Sequence, residues 1–146
     1  MERIAERLDA ELVRVTDGKD RGGVLGYIGA AIAAMRKKPP ELKEVKTEKP
    51  ISEYGTVILG MPIWAETTCP IAKAFLQKYG RSIRGDVAFV VTHLSDNDYD
   101  RPIAQLDAYL NRPHKAHLSL STRGENLTAQ IDAFLSGLDE KHTEKA

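Results

Sequence analysis

The apolar positions change period along the chain, from helix to strand and back. Ile4, Ala5 and Leu8 share one face over Met1 to Leu8 and predict a short amphipathic helix. Glu11 to Val15 alternates polar with apolar and predicts an edge strand, closed by Thr16-Asp17-Gly18. Between about Val24 and Arg36 a mostly apolar stretch predicts a helix packed closely through small residues and ended by Pro39-Pro40. Its glycines, Gly22, Gly23, Gly26 and Gly29, match no phosphate-binding spacing. Glu41 to Ile51 is a polar, Lys/Glu-rich connection. Val57 to Met61, rich in β-branched residues and bounded by Gly55 and Pro62, predicts a strand buried on both faces. A short loop comes next, carrying Trp64 into Glu66-Thr67-Thr68. Thr67 and Thr68 are the expected caps of a helix with Ile71, Ala72, Phe75 and Leu76 inward.

Beyond Gly85-Asp86, the run Val87 to Thr92 predicts a second strand buried on both faces. Arg101 to Leu110 predicts a helix with Ile103, Leu106, Tyr109 and Leu110 inward, Lys115 to Leu120 a short strand, and Leu127 to Leu138 a final amphipathic helix. Asp139 to Ala146 is a charged tail. Buried strands separated by helices point to an open parallel α/β sheet, which binds ligands beyond the carboxyl ends of its strands. The segments after Met61 and after Thr92 are therefore the places to look, and an aromatic ring such as Trp64 is well placed there to stack on a flat cofactor.

Composition narrows the function classes. A chain of 146 residues, 42% hydrophobic, fits one domain with a proper core. No apolar stretch is long enough for a membrane span, and the charged start MERIAERLDAE does not resemble a secretory signal, so a cytoplasmic protein is expected. The 21 Lys and Arg balance the 21 Asp and Glu and are spread along the chain, which gives nucleic acid no electrostatic footprint. The single cysteine excludes an internal disulfide.

The text Gly60-Met61-Pro62-Ile63-Trp64-Ala65-Glu66, with Pro70 and Phe75-Leu76 after it, resembles the third strand and adjoining loop of the flavodoxins, in particular the small single-domain members. The resemblance implies a flavodoxin-like three-layer α/β/α fold with an open parallel sheet, and an FMN-dependent electron-transfer or oxidoreductase lineage. It assigns Pro62, Ile63, Trp64 and Ala65 to the flavin ring, with Glu66 where the family has a glycine. It identifies the segment after Val91 as the second flavin loop, where Thr92, His93, Leu94 and Ser95 replace the usual glycines and Tyr99 supplies an aromatic ring.

The same resemblance makes IAERLDAELVRV the family's first helix and second strand, without the family's first strand and the Ser-x-Thr-Gly-Asn-Thr-like loop that wraps the FMN phosphate. Four strands are then expected, and FMN binding by this chain is expected to be weak or absent. The gap left by the missing strand is about two strand spacings, roughly 9 to 10 Å. Closure of Glu11–Val15 against Val57–Met61 is expected, ahead of homodimer formation through the open edge.

Single residues carry alternatives. Trp64 is either a cofactor platform or a core aromatic, and His93 either a proton donor near a flavin or a solvated loop histidine. Cys69 is either a reactive thiol in a helix first turn or buried filler. His114, His117 and His142 show no ligand spacing, and no metal site is expected. Two function classes remain. The first is an FMN-dependent electron carrier or small reductase serving a redox partner protein or a small-molecule acceptor. The second is a degenerate flavodoxin-like domain without cofactor, acting as an interaction or dimerisation module.

Overall fold

The computed structural model describes residues 1–19, 39–64, 66–95 and 97–140. Within them the chain forms α1 (Glu2–Leu8), β1 (Thr56–Trp64), β2 (Thr67–Thr68), α2 (Pro70–Tyr79), β3 (Asp86–His93), α3 (Asp100–Ala104), α4 (Asp107–Leu110), β4 (Ala116–Ser121) and α5 (Leu127–Glu140), with short 3₁₀ turns at Ile51–Glu53 and Gly80–Ser82. The helix expected between Val24 and Arg36 and the charged tail beyond Glu140 lie outside the described residues.

The sheet has four strands in the order β2-β1-β3-β4. β1 runs parallel to β3 from Thr56 opposite Asp86 to Pro62 opposite Thr92. β3 runs parallel to β4 from Ala88 opposite Ala116 to His93 opposite Ser121. β2 is a two-residue antiparallel return that pairs Thr68 with Ile63 and Thr67 with Trp64. Each parallel step returns through helix on one face, as right-handed crossovers require.

β3 has neighbours on both sides and helices on both faces, so Val87, Ala88, Phe89, Val90 and Val91 are all at most 3% exposed. That is why its sequence shows no polar alternation. One core, with Phe75, Leu76, Phe89, Val91, Ile103 and Leu106, joins the sheet to α2, α3 and α4. The other, with Ile4, Ala88, Val90, Ile131, Phe134 and Leu135, joins it to α1 and α5. The result is three layers. At the start of β1 and β3, the Asp86 N–H donates to the Gly55 carbonyl at 2.8 Å. Gly85 is required there, because a Cβ would collide with the carbonyl oxygens of Tyr54 and Gly55.

Several expectations need correction. Glu11–Val15 forms no strand and does not close against β1. Ties to the Glu11 side chain hold it instead, with Tyr54 Oη donating to Glu11 and the Glu48 N–H donating to Glu11 Oε1 at 3.0 Å, and just beyond it a backbone bond runs from the Lys43 N–H to the Thr16 carbonyl at 2.8 Å. Among the described residues Thr56 to Met61 has a ladder on one side only; both faces of β1 are packed as expected, with Val57, Leu59 and Met61 on one core and Ile58 on the other, but most of its residues are only half-buried. β1 also runs through Pro62 to Trp64 rather than stopping at the proline, which lacks an N–H but lies on an edge strand where none is demanded. Thr67 and Thr68 pair in β2 and do not cap α2, whose N-cap is Cys69 and whose first residue is Pro70. The helix expected over Arg101–Leu110 is two short helices, although Ile103, Leu106 and Leu110 are buried as expected. No described helix is long and apolar enough to cross a membrane.

Candidate functional site

The carboxyl ends of β1 and β3 lie side by side, and the segments leaving them build the site. β1 delivers Pro62, Ile63 and Trp64 to the edge of the sheet. Pro62 is exposed, Ile63 and Trp64 are half-buried, and both of the latter pack against the core beneath α2. Ala65 lies outside the described residues. Trp64 is thus the last residue of a strand rather than the tip of a loop, anchored on one side by its pairing with Thr67. Glu66 then reverses the chain with φ +59°, a left-handed conformation that a glycine adopts freely and that costs a residue with a Cβ about 1 kcal/mol or more.

The carboxylate of Glu66 reaches across to the segment after β3. Asn97 Nδ2 donates to Glu66 Oε2 at 2.9 Å, and Tyr99 Oη lies 3.5 Å from Glu66 Oε1. Tyr99 is only 3% exposed, its hydroxyl is 2.5 Å from Ser95 Oγ, and its ring packs on His93 with centroids 4.7 Å apart. His93, the last residue of β3, is half-buried and hydrogen-bonded through both ring nitrogens. Its Nδ1 donates to the Ser95 carbonyl at 2.5 Å, and its Nε2 accepts from Ser119 Oγ at 2.9 Å. That pattern is satisfied by the neutral ring with its proton on Nδ1. Thr92 is exposed, and Leu94 stands 67% exposed at the end of β3.

Below these groups, Lys73 Nζ donates to Thr67 Oγ1 at 2.9 Å. Burial pushes the Lys73 ammonium below its ordinary range. Thr68 is 1% exposed, and its hydroxyl is the one buried side-chain polar atom without a hydrogen-bond partner among the described residues. Cys69 is 5% exposed, as the filler reading requires.

The arrangement links Glu66 to Asn97 and Tyr99, and Tyr99 to Ser95 and His93, while Trp64 ends the neighbouring strand β1. It adds Asn97 and Ser119, which no sequence signal marks. For a flavin the fit is divided. The half-buried Trp64 and the exposed Pro62 and Leu94 offer apolar surface to a flat ring. A phosphate needs free backbone N–H groups or cations, and the two helix starts at this edge present no free N–H. α2 opens with Pro70, which has no N–H, and the Asp100 N–H at the start of α3 is taken by Asp98 Oδ1 at 2.8 Å. Glu66, Asp98 and Asp100 bring carboxylates to the same region, alongside the cations Lys73 and Arg101. The described residues offer apolar surface to a ring and, at these two helix starts, no donor to a phosphate. Two surface grooves, of about 320 and 390 Å³, are lined by Pro39–Leu42 with α2 and by β4 with α5, away from this edge.

No protein-family model and no curated protein matches the chain. Among solved structures it is similar to a flavoprotein from Lactobacillus acidophilus NCFM in complex with FMN, with a TM-score of 0.62 and 16% identity over 92% of this chain and 87% of that one. The NMR structure of the apo form of the flavoprotein from the same organism gives a TM-score of 0.53 and 17% identity over 85% of each chain. These likenesses show the fold, a flavodoxin-like sheet flanked by helices.

Proposed function

We propose that this chain is a flavodoxin-type domain of an FMN-dependent electron carrier or small reductase of the cytoplasm, and that the flavin ring lies against Trp64 at the junction of β1 and β3. The observation that carries the reading is the place of Trp64: half-buried at the carboxyl end of a parallel strand, next to the strand end that exposes Leu94. The FMN held by the flavoprotein of the same fold supports the choice of ligand. In this chain the ring end supplies the affinity, and the phosphate end adds little. Electrons would pass to a redox partner protein or a small-molecule acceptor, with the protein orienting the ring and tuning it.

A second reading is favoured by one observation. Glu66 bridges to Asn97 and Tyr99 across the mouth where the ring would lie, as expected of a domain that has given up the cofactor and serves as an interaction or dimerisation module. Flavin titration of the wild type and of Trp64→Ala separates the two. The first reading predicts saturable binding that the variant loses, while absence of binding by the wild type favours the second.

A further inference from the structure

A cation stands beside Trp64. In the β1–β2 return Trp64 lies directly opposite Thr67. Directly opposite residues of an antiparallel pair project their side chains to the same face, with Cβ atoms about 4.5 to 5.5 Å apart. Lys73 follows on α2, and helical side chains lean toward the N-terminus of their helix. Its Nζ comes back to the strand end and donates to Thr67 Oγ1 at 2.9 Å, which sets the ammonium one side chain away from the indole. Lys73 is half-buried, Thr67 offers it a neutral hydroxyl, and none of the ion pairs among the described residues includes it. Burial pushes the ammonium below its ordinary range, with Cys69 a smaller, opposing influence. A cation partly stripped of water and without a carboxylate is where an incoming negative charge gains most.

We propose that Lys73 makes the Trp64 site prefer the reduced, anionic form of a flavin over the oxidised, neutral form, with Thr67 as the positioning residue that holds the ammonium at the strand end. The inference rests on the flavin reading above and goes beyond it, since stacking on Trp64 does not by itself distinguish the two forms. Two electrons from a redox partner and one proton from water turn the neutral oxidised ring into a ring with one negative charge. A positive charge beside the ring stabilises the product of that step and leaves the reactant nearly untouched. Tighter binding of the reduced form then raises the reduction potential of the bound ring. Glu66, Asp98 and Asp100 act in the opposite sense, but all three are exposed and solvent screens them more strongly than the half-buried Lys73. The nearest of them in sequence, Glu66, is also turned to Asn97 at 2.9 Å.

The test uses the whole chain and riboflavin, which has the ring without the phosphate, under nitrogen at mildly alkaline pH, with dithionite supplying the electrons. Quenching of Trp64 fluorescence gives the dissociation constants of the oxidised and reduced forms, and their ratio is the readout. Lys73→Met keeps the apolar stem and should keep the far-UV circular dichroism. Its ratio should shift at least about tenfold toward the oxidised form, equivalent to about 30 mV for a two-electron couple, while the affinity for the oxidised form stays within about threefold. Lys73→Arg, which keeps the charge, should retain the wild-type ratio. An unchanged ratio in Lys73→Met, with the oxidised form still bound, would overturn the inference and leave the flavin reading standing. If Lys73→Met weakens FMN but leaves both forms of riboflavin unaffected, Lys73 is a phosphate anchor and the inference is equally overturned. Failure of the wild type to bind riboflavin in either form would remove the flavin reading and the inference with it.

Discussion

Glu66 offers a direct test of the site's backbone, because two substitutions there separate strain from hydrogen bonding. The residue holds φ +59°, and its carboxylate accepts from Asn97 at 2.9 Å. Glu66→Ala removes the carboxylate and keeps the strain. The loss of one exposed hydrogen bond then destabilises the fold by about 1 kcal/mol. Glu66→Gly removes the same bond and also relieves the left-handed penalty of about 1 to 2 kcal/mol, part of which the entropy of an unfolded glycine offsets. The glycine variant should therefore match the wild type and exceed the alanine variant by about 1 kcal/mol, or about 2 to 4 °C in Tm for a domain of this size. In ordinary helix or strand backbone the order is reversed, glycine being worse than alanine by roughly 0.5 to 1 kcal/mol. Thermal and urea denaturation of the three proteins measure it. If Glu66→Ala is as stable as Glu66→Gly, the left-handed turn at this residue is wrong. The same glycine variant opens the bridge to Asn97, so it should bind flavin at least as tightly as the wild type.

Thr68→Val replaces a buried, unpartnered hydroxyl with a methyl of similar shape and should be neutral or stabilising by about 1 kcal/mol in urea denaturation; a clear destabilisation would mean that the hydroxyl has a partner. Lys73 has its folded pKa lowered by burial from the ordinary 10.5, so between the two values the unfolded chain binds more protons and stability rises with pH. The stability of the wild type relative to Lys73→Met should accordingly climb as pH approaches 10.5, and a fall over that window would contradict the buried placement of the ammonium.

The legible parts of the sequence were those in which local pattern and burial coincide. Val87 to Thr92 reads as a buried strand because the central place of β3 leaves no face for polar residues. Val57 to Met61 reads the same way, yet it is half-buried, since an apolar run reports hydrophobicity and not the number of neighbouring strands. Glu11 to Val15 shows the converse. Its alternation does reflect one-sided burial, with Val13 and Val15 half-buried and Leu12 51% exposed, but side-chain ties can hold such a segment without a ladder. The proposed flavin edge was legible at Trp64 because a proline and a strand end mark it. Asn97 and Ser119 were not, because their partners Glu66 and His93 lie 31 and 26 residues away and are chosen by the packing of the sheet. For the same reason the contacts of His114 and His117 were not legible. Their carboxylate partners come from α3 and α4, 17 and 7 residues before the rings they meet.

The central claim is that this chain meets a flavin by its ring and not by its phosphate, and one comparison tests it. The chain contains a single tryptophan, so quenching of its fluorescence reports stacking at Trp64 without competing signals from other tryptophans. Parallel titrations with FMN and riboflavin, which differ only in the phosphate, should quench Trp64 with affinities in the micromolar range or weaker that agree within about threefold, a difference of about 0.7 kcal/mol. FMN bound tenfold or more tightly than riboflavin, or at submicromolar Kd, would contradict the account by revealing a phosphate anchor. Failure of both flavins to bind would contradict the ring site itself.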